Sequence, residues 1–385
     1  MGTRAQQYHQ DLVDTIKGKK NAQLASQFQQ AKIAALPERD HPSDNELTKL
    51  KTLSMRVKAA KQNPHTINPT IRAYANQQSQ IIGKFITRIG ADHSSQKAGD
   101  KTGSLINRKD INVFIVDTGV TPHSDLQSLV GGANFTSLDI NNYADQNGHG
   151  THVAGIIAAD DNDFGVVGVA PGARIWAIKV LAADGSGTII NIVNGLKWIL
   201  ENRGKKWDGY GIVNMSLGGS ASPELDSAVS LLLQSGIIVV SAAGNEAINA
   251  SYCSPARVPN VITVAASDSP DYNTYAGYTN WGSSVYINAP GSSIMSTYYN
   301  GSYATLSGTS MATPVVTGTI VSMIAKKNPP LSKNITFVQT IRNMLKEACS
   351  FKTITNTDGT QGINNEIFYP NNIKTTGLHV YAGSF

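Results

Sequence analysis

From Phe85 onward, short runs of β-branched and apolar residues alternate with longer stretches at helical spacing. The short runs are Val113–Val116, Ile175–Val180, Ile212–Met215, Ile237–Ser241 and Val261–Ala265, mostly bounded by Gly, Pro, Asp or Asn. Near-continuous apolar strands of this kind suit a parallel sheet covered on both faces, whereas a half-solvated sheet would alternate polar and apolar. The longer stretches, His149–Ala159, Ile189–Asn202, Pro223–Ser235, Ser310–Lys326 and Phe337–Cys349, read as helices. The alternation predicts an α/β fold: a mostly parallel β-sheet with helices on both faces.

Residues 1–84 read differently. Apolar positions at helical spacing predict a helix up to about residue 36, a second over Glu46 to Lys61, and a third after Asn68-Pro69. The expectation is a helix-rich N-terminal segment over 1–84, then a main domain over 85–385 with an irregular tail from about residue 350. Charge divides at the same boundary. The first 84 residues hold 13 Lys/Arg against 6 Asp/Glu, a net +7, while the remainder holds 19 against 21, a net −2. That asymmetry favours docking of the segment onto the body.

Composition excludes several classes. With 41% hydrophobic and 15% charged residues the chain can bury a core and is not disordered. Two cysteines, Cys253 and Cys349, cannot build a disulfide framework. No run approaches the ~18 apolar residues of a membrane span, and Met1 to Gln7 carries no apolar core of a secretory signal, so neither is expected. Basic residues are not interleaved with aromatics in any nucleic-acid module, so no nucleic-acid partner is expected.

In open parallel sheets, ligands bind outside the carboxyl ends of the strands. Val113–Val116 runs into Asp117-Thr118-Gly119, and Ile237–Ser241 runs into Ala242-Ala243-Gly244-Asn245. Asn147-Gly148-His149-Gly150-Thr151-His152 opens a helix, with glycines flanking His149. Ser310 follows Ser307-Gly308-Thr309 and precedes an apolar helical run. Each alone is weak: Asp117 can be a turn or capping residue, Asn245 a turn residue and Ser310 a cap. Together they supply a nucleophile, its base, a carboxylate to orient the base and an amide to hold an oxyanion. His149 and His152 lie three apart, but no cysteine or helical glutamate completes a zinc set.

The blocks Val116-Asp117-Thr118-Gly119, Asn147 to Gly155, Ala242 to Asn245 and Gly308 to Pro314, in this order, resemble the subtilases, the subtilisin-like serine peptidase family. Gly168-Val169-Ala170-Pro171, Lys179-Val180-Leu181 and Asn214 to Gly219 match as well, and the similarity covers about residues 85 to 349. The resemblance implies a serine endopeptidase that hydrolyses peptide bonds through an acyl-enzyme. Ser310 would be the nucleophile, His149 the base, Asp117 its orienter and Asn245 an oxyanion donor. Ser216, Leu217 and Gly218 would form one side of the substrate cleft, with Gly185, Ser186 and Gly187 forming the other. His152 is expected to be structural.

The implied partners are peptide or protein substrates, with residues 1–84 as an intramolecular inhibitor in a zymogen. The same machinery could instead perform transpeptidation or macrocyclisation, or persist in a silent binding protein; four intact residues argue against silence, and the absence of an inserted lid favours water over a second amine. No cofactor is required for the chemistry. A structural calcium is expected by resemblance, with Asn162 in the acidic loop Asp160 to Val166, and Asp125, as ligands.

Overall fold

The computed structural model describes residues 57–59 and 79–349, four two-residue strands between 354 and 374, and residue 380. Seven strands form the central sheet: β2 (Ile111–Asp117), β3 (Leu129–Asn134), β4 (Arg174–Lys179), β6 (Tyr210–Met215), β8 (Ile238–Ala242), β10 (Ile262–Ser267) and β11 (Ile287–Pro290). Their spatial order is β11-β10-β8-β6-β2-β4-β3, and every pairing is parallel. β2 therefore lies inside the sheet, between β4 and β6. From it the chain first winds toward the β3 edge and then back across toward β11. The crevice at such a reversal is where an open sheet offers a site.

All seven residues of β2 are buried, as an interior strand requires. Val113 and Ile115 join one core with α2 (His149–Ala158) and α5 (Thr309–Lys327). Phe114 and Val116 join the other with α3 (Ile189–Glu201) and α4 (Pro223–Gln234). Successive side chains of a strand point to opposite faces, and each face needs its own cover. Helix starts follow local chemistry. The Thr188 side chain accepts from Asn191 N at α3, while Ser222 accepts from Leu225 N ahead of Pro223 at α4. α6 (Ile335–Cys349) closes the described body; its Phe337 and Ile341 enter the first core and its Val338 the second.

From Phe85 onward the expected strands and helices are all present, with ends displaced by one or two residues. Strands that had not been expected include β3, β11, and the antiparallel hairpin of β12 (Ile294–Tyr298) and β13 (Ser302–Leu306). β3 is interrupted by Gly131-Gly132 and carries a register shift, and β11 ends in Pro290, so neither reads as a continuous β-branched run. A short helix, α1 (Lys84–Ile89), precedes β2 and buries Phe85, Ile86 and Ile89.

One expectation is overturned. Val57–Ala59, inside the helix expected over Glu46 to Lys61, is a strand, β1. It lies antiparallel between β5 (Ser186–Gly187) and β7 (Leu217–Ser220), in a small sheet completed by β9 (Cys253–Ser254). Two exposed strand edges offer rows of backbone donors and acceptors, and this outweighs a weak local helical spacing. The other helices expected before residue 79, and most of the tail beyond 349, lie outside the described residues. Among the described residues no helix is long and apolar enough to cross a membrane.

Candidate active site

Asp117, the last residue of β2, and His149, the first of α2, are both fully buried. His149 Nδ1–H donates to Asp117 Oδ1 at 2.7 Å, and the Thr118 backbone N–H donates to the same oxygen at 2.7 Å. A close approach of backbones makes this contact. A Cβ at Gly150 would lie 2.1 Å from the Gly119 carbonyl oxygen, so only glycine lets the helix start press onto the turn after Asp117. Gly148, at φ 107°, turns the chain into α2, and a Cβ there would strike the Tyr298 ring at 2.2 Å.

Burial works against the charged imidazole. The charge and hydrogen bond of Asp117 oppose that effect, Asp145 adds to them, and the His149 pKa is raised above the ordinary histidine value. Its Nε2 is buried without a hydrogen-bond partner. An imidazole so held has one nitrogen fixed as a donor and the other free to take a proton.

Ser310 is the second residue of α5 and is 1% exposed. Its Oγ donates to the Ser216 carbonyl at 3.0 Å, and the Ser216 hydroxyl returns a bond to the Ser310 carbonyl at 2.8 Å. Asn214 Nδ2 donates to Ser216 Oγ at 2.9 Å while Asn214 Oδ1 accepts from Thr317 Oγ1 at 2.8 Å, so the carboxyl end of β6 is fastened to α5. The serine's hydrogen bond thus runs to the cleft backbone.

Asn245, three residues beyond β8, accepts at Oδ1 from both the Thr309 N–H and the Thr309 hydroxyl, each at 2.9 Å. Because a backbone N–H can only donate, these bonds turn Nδ2 away, and Nδ2 is buried with no partner. A Cβ at Gly308 would come within 3.2 Å of it. An unpaired amide donor beside the start of α5, whose first-turn N–H groups have no partner within the helix, is a seat for developing negative charge. Asn280 braces this turn from behind. Its Oδ1 accepts from Glu246 N and Ile248 N, and its Nδ2 donates to the Ala243 carbonyl. Asn280 is not legible in the sequence, since an asparagine in the polar stretch Tyr278-Thr279-Asn280 carries no spacing signal.

The residues expected to line the cleft lie on two facing edges. Ser186 and Gly187 form β5, with Gly185 in the turn before it, while Leu217 and Gly218 open β7 directly after Ser216. Between the edges runs β1: Val57 opposite Gly187, Lys58 opposite both Ser186 and Gly218, and Ala59 opposite Leu217. His152 stands apart from the chemistry. Its Nε2–H donates to the Ile294 and Ala304 carbonyls, and burial drives its pKa down to about 3, so it is a neutral core residue tying α2 to the β12–β13 hairpin.

Asp125 and Asn162, expected as calcium ligands, do meet. Asn162 Nδ2 donates to Asp125 Oδ1 at 2.7 Å, and Asp125 Oδ2 accepts from Val166 N at 2.8 Å and Tyr303 OH at 3.2 Å. Burial, only partly offset by these neutral donors, pushes the Asp125 carboxyl up to about 7. A third residue, Gln80, was not expected. Its Nε2 donates to the Asp160 and Val166 carbonyls, and its Oε1 is buried without a partner. Among the described residues no three His, Cys, Asp or Glu side chains gather as a metal set. A carboxylate with amide and backbone carbonyl oxygens is nonetheless the donor chemistry that Ca²⁺ takes, and the orphaned Gln80 oxygen fits it.

Similarity to known proteins agrees with this geometry. M-protease of Shouchella clausii (strain KSM-K16) is 34% identical over 372 residues, covering 95% of this chain and 90% of its own. Subtilisin BL of Lederbergia lenta is 43% identical over 258 residues, covering 66% of this chain and 89% of its own. The crystal structure of a cold adapted subtilisin-like serine proteinase superposes with a TM-score of 0.58 at 34% identity, covering 71% of this chain and 88% of that one. Residues 108–367 match the subtilase family; the chain belongs to that family and is a subtilisin-like serine endopeptidase.

Proposed function

We propose that this endopeptidase works through an acyl-enzyme on Ser310, with His149 as base, Asp117 as its orienter and Asn245 as oxyanion donor. The observation that carries the reading is the buried Asp117–His149 pair with its unpartnered Nε2. On binding, Ser310 Oγ leaves the Ser216 carbonyl and gives its proton to His149 Nε2 as it bonds to the scissile carbonyl carbon. The carbonyl electrons move onto oxygen, where Asn245 Nδ2–H and the Ser310 N–H receive them. His149 returns the proton to the leaving amine as the C–N bond breaks, and water repeats the sequence to release the acid. The substrate would enter as a strand between β5 and β7, held through its backbone at Gly185 to Gly187 and Ser216 to Gly218. A fluorophosphonate probe tests the nucleophile: wild type should label and Ser310→Ala should not. Labelling that survives the substitution removes Ser310 from the role.

The N-terminal segment acts as the intramolecular inhibitor in this reading, supported by β1 lying antiparallel where a substrate strand would lie. Lys58→Pro in the full chain takes a donor from that ladder and should abolish latency. An intact full-length wild type that cleaves peptide as fast as its processed form would end the idea. Calcium would be held by the side chains of Gln80, Asp125 and Asn162 and the carbonyls of Asp160 and Val166, with both amides turning their oxygens inward. It would fasten the start of the body, where Ile81 N donates to the Gly165 carbonyl, to the loop after α2, and take no part in the chemistry.

A further inference from the structure

We propose that Asp145, a second buried carboxylate behind Asp117, is a positioning residue that holds the start of α2 and the turn after β2 in the one arrangement that places His149. The inference rests on the reading of His149 as the base.

Asp145 lies in the loop between β3 and α2 and is 4% exposed. Both of its oxygens are used in full. Oδ1 accepts from Thr118 Oγ1, Asn147 N and Gly148 N, each at 2.9 Å. Oδ2 accepts from Thr151 N at 2.9 Å and Thr151 Oγ1 at 2.7 Å. Gly148, the residue before the helix, offers no side chain to cap it. Thr118 Oγ1 accepts from Gly150 N at 2.9 Å, so the two side chains together supply what a cap residue would. The order of contacts is then Asp117, Thr118, Asp145, and the first turn of the helix that begins with His149. Thr118 is the hinge of this arrangement, because its backbone N–H is also one of the donors to Asp117 Oδ1.

The charge has a counterpart. Lys179, at the end of β4 and 3% exposed, donates from Nζ to the Thr118 carbonyl. Burial lowers the Lys179 pKa, and Asp145 and Asp117 both oppose that loss. The titratable groups around His149 are therefore Asp117 at the end of β2, Asp145 before α2, Lys179 at the end of β4, His152 on its own helix and Tyr298 on β12. Tyr298 donates to the Asn147 carbonyl at 3.0 Å. Of these, Asp117 and Asp145 favour the imidazolium. Five donors on one carboxylate cannot be matched by an amide, whose nitrogen can only donate.

The test is Asp145→Asn introduced in the full chain, with kcat and KM read across pH on the processed, active-site-titrated enzyme. The expected result is a fall in kcat of about 10- to 100-fold with KM nearly unchanged, the size that follows when a reacting group is misplaced by a fraction of a bond length. Catalysis needs neutral His149, and removing a nearby negative charge lowers the pH at which it gains its proton. The acid limb should therefore shift downward. Thr118→Ser, which keeps the hydroxyl, should restore both readouts relative to Thr118→Val. A purely structural role would lower the fraction of titratable enzyme and leave kcat per active site and the acid limb in place; that outcome overturns the inference. Activity surviving His149→Ala would instead overturn the base assignment itself.

Discussion

Asp117 and Asp125 stand eight positions apart and are both fully buried, yet they face different company. Asp117 receives an imidazole N–H and a backbone N–H. Asp125 receives an amide, a phenol and a backbone N–H, all neutral, and its carboxyl is pushed up to about 7. A buried carboxylate beside an imidazole can hold the ring in one tautomer and stabilise the positive charge it gains. One among neutral donors is disfavoured as an anion, and a proton or a cation would relieve it. Each region also leaves an atom of complementary kind unpaired: donor Nδ2 of Asn245 at the first, acceptor Oε1 of Gln80 at the second. The first offers a donor that suits an anion, the second an acceptor that suits a cation.

Replacing each acid by its amide should separate the two regions most sharply. Asp117→Asn should cost about 10⁴-fold in kcat with little change in melting temperature, because the amide keeps the volume but not the tautomer control. Asp125→Asn should leave kcat per active site unchanged. Equal losses for the two would break the comparison. Next in size, Asn245→Ala should lower kcat by about 10²–10³-fold at nearly constant KM, the effect known for subtilisin's own oxyanion asparagine. A change confined to KM would mean the amide binds substrate rather than the oxyanion.

Chelation should lower the melting temperature of wild type, with stabilisation of about 2.7 kcal/mol regained at a calcium concentration near a hundred times the dissociation constant. Gln80→Ala should flatten that dependence without moving kcat. A wild type indifferent to chelator would remove the cation from the second region. The smallest effect concerns pH. His149 has a raised pKa, so it stays protonated to higher pH than a free histidine, and the acid limb of kcat/KM should lie above the ordinary value of about 6.5. A limb below that value would mean that burial outweighs Asp117.

Much of the first region was legible in the chain. Asp117, His149, Asn245 and Ser310 each sit where a strand ends or a helix begins, and those boundaries are marked by local apolar runs and glycines. Asp145 and Gln80 were not legible. Asp145 is one acid in the polar run Tyr143 to Asn147, and its role comes from Thr118 and Lys179, 27 and 34 positions away. Gln80 has meaning only because the start of the body meets Asp160 and Val166 across 80 positions or more.

The sequence by itself determined the parallel sheet, the two helical layers and the residue types at the crevice, because apolar period, turn residues and helix starts act over a few neighbouring positions. Tertiary structure alone decided three things: that Val57–Ala59 is a strand between β5 and β7, that Ser310 Oγ rests on the Ser216 carbonyl, and that a second acid braces the first. Each depends on partners brought together only when the sheet closes, and on buried donors and acceptors that must then find one another.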